Sequence, residues 1–131
     1  MVDYLGIIVA TLASYALGAL WHSPLMFGDA WAKLSGMDKK IKSVSKKNMN
    51  LAYGGTFLTT LITAFVLSLF LEEITAFNEG LMLAFIIWLG FYGTTQLGMV
   101  LWEKKSFKLF LINSGHSLAA LLVMAAIFVA I

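Results

Sequence analysis

Cysteine is absent from this 131-residue chain, arginine is absent too, and proline occurs once, at Pro24. Without cysteine there are no disulfides, no thiol catalysis and no cysteine-held metal, and the redox compartment is left open. Without arginine, all nine positive charges are lysines. The arginine-rich or aromatic-interleaved basic surface that nucleic acid needs is missing, so no nucleic-acid partner is expected. Charge of either sign is scarce: Asp, Glu, Lys and Arg make up 12% of the chain, and the net charge is +2.

What is abundant is oil. Hydrophobic residues make up 60% of the chain and mean hydropathy is +0.88, against about 45–50% apolar residues in soluble domains. Four runs, Tyr4–Gly28, Asn48–Leu71, Gly80–Trp102 and Leu109–Ile131, contain no Asp, Glu, Lys or Arg. Each exceeds the roughly 20 residues that a helix needs to cross a bilayer. The expected fold is an all-α membrane protein, one domain over residues 1–131. Four transmembrane helices form a bundle, with spans at about 4–22, 50–71, 80–101 and 107–130. Little chain remains for a soluble domain, so function must reside in the helices or their loops.

Met1–Asp3 carries no positive charge, so the first span does not read as a cleaved signal peptide. Along it, Ala10, Ser14 and Gly18 fall four residues apart, a small-residue face that lets another helix approach closely. In an alanine-rich helix they are equally ordinary packing residues. Pro24 lacks an N–H and pushes Ser23 out of helical geometry, so the span breaks near His22–Ser23. Trp21 and Trp31 suit the headgroup layer, where an indole keeps its ring in oil and its N–H wet. Phe27, Trp31 and Leu34 recur at helical spacing, and Leu25–Gly36 reads as a short helix lying along the interface.

Loop 23–49 then carries six lysines and loop 102–106, with Lys108, three; the Glu72–Glu79 turn and both termini carry none. The positive-inside rule places both lysine loops in the cytoplasm and both termini outside. The first loop can also attract anionic headgroups, at about 1 kcal/mol per lysine near the surface, although fixing topology is sufficient work for those charges. A shift of 80 residues lays Ala10, Ser14 and Gly18 over Gly90, Thr94 and Gly98, the third span's own small-residue face. An internal repeat about an axis along the membrane normal and chance similarity between oily helices both account for this.

At 1.5 Å per residue, Gln96 stands about 9 Å above Trp102, with Asn113 about 9 Å and His116 about 13 Å above Phe107. Tyr53 and Thr56 lie near the start of the second span, and Thr94 and Thr95 flank Gln96. These seven residues define a candidate polar pocket in the cytoplasmic half. The plainer alternative is interhelical hydrogen bonding, about 0.6–2 kcal/mol each, with threonines bonding back to their own helix. Measured the same way, His22 is interfacial and His116 more than two turns deeper, so joint ligation of a haem iron is awkward. No HExxH or Glu-x-x-His motif, Ser–His–Asp set or phosphate loop occurs. Neither a cofactor, a metal nor catalysis is expected.

Three stretches, Leu17–Gly28 (LGALWHSPLMFG), Trp88–Thr95 (WLGFYGTT) and Lys108–Asn113 (KLFLIN), resemble in order the pattern of a small bacterial membrane family, domain of unknown function 1761. The resemblance spans nearly the whole chain. It implies a four-helix inner-membrane protein and supplies no activity or catalytic residue. The family often carries tyrosine at the position of His22, which speaks against a ligand role there. The leading expectation is a non-enzymatic protein that binds or passes a small solute or ion through the polar pocket, working as a homo-oligomer. The alternative is an accessory protein docking a partner or anionic lipid through Trp21, His22, Ser23, Pro24 and Trp31 and the lysine loop.

Overall fold

The structure, a computed structural model, describes residues 3–130. Met1 and Val2, which open the uncharged amino-terminal stretch, lie outside the described residues, as do Ile131 and the side chain of Lys42. Six helices follow in order. They are α1 (Tyr4–Trp21), α2 (Gly28–Ser35), α3 (Met37–Lys40), α4 (Lys46–Phe70), α5 (Phe77–Trp102) and α6 (Phe107–Ala130). Helices α1, α4, α5 and α6 are long and apolar enough to cross a membrane, which is compatible with a multi-pass membrane protein. No strand occurs among the described residues.

Local chemistry sets the helix ends. The Asp3 carboxylate accepts from the Gly6 N–H at 2.9 Å and opens α1. Ser45 accepts from the Asn48 N–H at 3.1 Å, so α4 starts at Lys46, four residues before the expected span. Such caps satisfy first-turn donors that have no partner inside the helix. Past Trp21 the chain reverses: Phe27 N–H bonds Trp21 O at 3.0 Å and Gly28 N–H bonds Ser23 O at 2.9 Å. A side chain at position 28 would strike the His22 carbonyl, so this turn requires glycine. The short helix expected over Leu25–Gly36 therefore starts at Gly28 rather than Leu25. It ends at Gly36, whose φ of +79° is the left-handed closing conformation that favours glycine.

Helix α5 is not uniform. Six residues, Trp88–Gly93, widen into a π-helical segment between α-helical stretches Phe77–Ile87 and Thr94–Trp102. Nothing in the hydropathy pattern announces it. Wide turns of this kind interrupt α-helices mostly as single-turn insertions.

Helix α6 is the hub. It packs along α1 and α5 and more briefly on α2 and α4, while α1 also packs on α4. A tightly buried cluster, Ile7, Ala10, Ala64, Leu67, Leu71, Ala84, Leu121, Met124 and Ala125, closes the end near the Glu72–Glu79 turn. Alanines let the helix axes approach, and Met124 fills the remaining space at 1% exposure. Toward the lysine loops the packing thins on one side: every residue from Leu51 to Thr59 on α4 is exposed. The seam between α4 and α5 is consequently open.

Candidate functional site

The loop-side half of the structure is built from rings. The Trp21 indole N–H donates to the Ile112 carbonyl at 3.0 Å, and the Trp88 indole N–H donates to the Ser114 carbonyl at 2.8 Å. A carbonyl has two lone pairs, so helix α6 can take these donors in addition to its own ladder. Two tryptophans from different helices thus pin α6 within one turn of each other. Glycines make room: a Cβ at Gly115 would lie 3.3 Å from the Trp21 ring, and one at Gly18 would lie 3.1 Å from His116 Nε2.

His116 sits beside His22. Their ring centroids are 5.2 Å apart and nearly perpendicular, and His22 makes a similar edge-to-face contact with Trp31, also at 5.2 Å. Trp21 completes the group, 4.9 Å from Phe27 and 6.1 Å from His116. This corrects the depth estimate that separates the two histidines by more than two turns. The last residue of α1, Trp21, meets Ile112, and α2 packs against α6 as well. The end of α1 is therefore level with Ile112, not with Phe107. His22 Nδ1 lies 3.0 Å from the Gly18 carbonyl; a carbonyl only accepts, so this nitrogen carries a proton. No cluster of three or more His, Cys, Asp or Glu residues able to hold a metal occurs among the described residues.

Above the rings, toward the middle of the helices, runs a groove of about 130 Å³. Ser14 of α1, Thr59, Thr60 and Thr63 of α4, Tyr92 of α5, and His116 and Ser117 of α6 line it, with Ala120, Leu121 and Met124 at its far end. Beside it lies an apolar compartment of about 210 Å³ between Ile62, Val66, Leu67 and Phe70 of α4 and Ile87 of α5. Thr63, Tyr92 and Leu121 belong to both. The π-helical segment supplies Tyr92 to this shared wall.

Of the seven residues expected to form a pocket, His116 alone lines the groove. Gln96 reaches it indirectly, through an N–H that donates to Ser117 Oγ at 3.4 Å; Ser117 in turn donates to the Asn113 carbonyl at 3.2 Å. Asn113 is half-buried one turn away. Thr94 and Thr95 are exposed and bond back to Gly90 and Phe91, at 2.8 and 2.6 Å. Thr56 is exposed and bonds back to Ala52 at 2.7 Å. Tyr53 is 59% exposed, and its carbonyl accepts from the Tyr15 hydroxyl at 3.1 Å. The α4 residues that do line the groove, Thr59, Thr60 and Thr63, lie one to two turns beyond Thr56. Their spacing on one helical face was the signal available in the sequence.

The candidate packing residues divide. Ala10 and Ser14 are buried, and Gly18 receives the His116 ring. Gly90 and Gly98 have open space where a side chain would be. The interfacial motif is turned inward at Trp21 and His22, while Ser23 donates to the Leu20 carbonyl at 2.6 Å and Pro24 is exposed.

Among the described residues, two buried polar atoms have no hydrogen-bond partner: Gln96 Oε1 and His116 Nε2. Each forgoes about 1–3 kcal/mol, and such atoms are uncommon enough in folded proteins to call for a reason. No curated protein and no solved structure matches the chain. One family model does, across residues 5–129, and the chain therefore belongs to the family described as protein of unknown function (DUF1761).

Proposed function

We propose that this protein is a non-enzymatic membrane protein that binds, or passes, a small solute at the groove between α1, α4 and α6. The observation that carries the reading is the conjunction of a hydroxyl-lined groove with His116 on its wall and unpartnered polar atoms on His116 and on Gln96 behind Ser117. Polar side chains at this depth in a spanning helix bundle are costly, and ionisable ones mark function more often than packing. The lysine distribution supports both lysine loops in the cytoplasm and both termini outside an inner membrane, so the groove lies between mid-depth and the cytoplasmic face. The outward Gly90–Thr94–Gly98 face of α5 is suited to a second copy of the chain, as small residues at this spacing admit close helix approach.

The alternative role, docking a partner or anionic lipid through the Trp21–Trp31 stretch, has less support, because the Trp21 N–H and the His22 ring are engaged within the chain. Leu25, at 86% exposure, and the lysines are what that stretch offers outward.

The test is ligand-detected NMR of uncharged polar fragments against the full chain in nanodiscs, repeated with Thr60→Leu, which fills the groove from the α4 side. Fragments that bind the parent and lose at least about tenfold in affinity, some 1.4 kcal/mol, support the groove. Binding that ignores the substitution, or no binding, refutes it. Because the chain has no cysteine, single Cys residues at Asn78 and Ser106 report sidedness: an impermeant maleimide added outside is expected to label only the first.

A further inference from the structure

The groove and the apolar compartment lie side by side, one hydroxyl-lined and one apolar. They share Thr63, Tyr92 and Leu121 as walls, and the two volumes together fall at the low end of small-ligand sites, roughly 300–1,000 Å³. The apolar compartment lies between α4 and α5, where Ile62 and Val66 are 53% and 44% exposed. In a spanning protein that surface meets acyl chains, so a ligand can enter from the bilayer itself.

The α4 side of the polar wall is also specific in sign. Each threonine hydroxyl has one proton, and here each is spent on the helix: Thr59 and Thr60 donate to the Thr56 carbonyl at 2.9 and 2.7 Å, and Thr63 to the Thr59 carbonyl at 3.0 Å. What these oxygens present to the groove is lone pairs. Ser117 likewise donates to Asn113. Ser14 of α1 and Tyr92 of α5 add hydroxyls that can donate as well as accept, so the groove suits a neutral head that does both, an alcohol. None of the groove's lining residues carries a permanent charge, and Thr59 is roughly 20 Å along α4 from Lys46. A phosphate or carboxylate head would thus meet lone pairs with no cation to offset it.

We infer that the α4–α5 seam binds a neutral, hydroxyl-headed, single-chain lipid, its hydroxyl donating to Thr59, Thr60 or Thr63 and its chain lying along Ile62, Val66 and Phe70. The inference rests on the solute-binding reading of the groove and names its ligand class. A neutral head can sit at mid-depth, where a charged phospholipid head is held at the interface by its hydration.

The test uses the full chain in phosphatidylcholine nanodiscs and a farnesol analogue with a diazirine on its tail. Cross-linked peptides are expected from the seam-facing part of α4, residues 62–70. Unlabelled farnesol should compete at least about tenfold better than farnesyl phosphate. Val66→Trp, which fills the tail compartment from an exposed position, should cut labelling at least about tenfold, and Thr60→Val, which keeps shape but removes an acceptor, should weaken farnesol competition. Labelling spread evenly over all outward-facing helices and unchanged by Val66→Trp is ordinary annular lipid and overturns the inference. Equal competition by the phosphate overturns the head assignment and with it the inference. If polar fragments still depend on Thr60 while farnesol labelling ignores Val66→Trp, the lipid falls and the solute groove stands. If both are indifferent, both readings fall.

Discussion

The two ends of this helical assembly are held by different means. Near the Glu72–Glu79 turn, small and flexible side chains from all four long helices meet: Ala10, Ala64, Ala84 and Ala125 bring backbones close and Met124 fills what is left. Near the lysine loops, α1, α2 and α6 meet through Trp21, His22, Trp31 and His116, Trp88 of α5 bonds Ser114 between the two ends, and α4 stands largely apart, its exposed Leu51–Thr59 stretch touching the rest through Tyr15. Methyl packing is short-range and non-directional, so it closes whatever faces it. Indole N–H bonds and edge-to-face rings fix angles and leave gaps where the angles do not suit. The groove lies where the first regime gives way to the second.

That contrast can be broken from either side. Gly18→Leu should do the most: even a Cβ there lies 3.1 Å from His116 Nε2, and overpacking of this kind costs about 1–3 kcal/mol. Its thermal midpoint in detergent should fall furthest, and the His22 and His116 ring signals should shift together in NMR. Met124→Ala opens a cavity at the closed end; with lipid replacing water as the reference, we expect about 1–3 kcal/mol, with the histidine signals unmoved. Trp21→Phe keeps a ring but loses the bond to Ile112, and unfolding in graded denaturing detergent should show about 0.5–1.5 kcal/mol lost. Thr95→Val removes only a bond back to Phe91 on an exposed face and should change stability by no more than about 0.5 kcal/mol. A large effect of Thr95→Val would place that residue in contacts this chain alone does not make.

Much of the fold was legible because it follows from periodicity and punctuation. Four uncharged runs mark the long helices, and Pro24 marks the end of α1. The threonines bond back to preceding carbonyls, as their hydroxyl chemistry favours. The candidate site was less legible, and for a geometric reason. Counting residues from helix ends gives depth only if neighbouring helices end in one plane, and α1 does not end level with α6. Counting also says nothing about azimuth. Thr94, Thr95 and Gln96 share a depth, yet Gln96 turns toward Ser117 while the two threonines face outward. Small-residue spacing was equally ambiguous: Ala10, Ser14 and Gly18 meet neighbours, whereas Gly90 and Gly98 do not.

The widened stretch Trp88–Gly93 divides α5 into two α-helical stretches, Phe77–Ile87 and Thr94–Trp102. An α-helix turns about 100° per residue, so removing a single residue from that stretch would swing everything after it by about that angle. Gln96 would leave Ser117, and the outward glycine at position 98 would be carried to a new heading while Ala84 kept its place. Length variation is tolerated in most loops; here one residue more or fewer, inside a membrane-length helix, decides which way its last nine residues look.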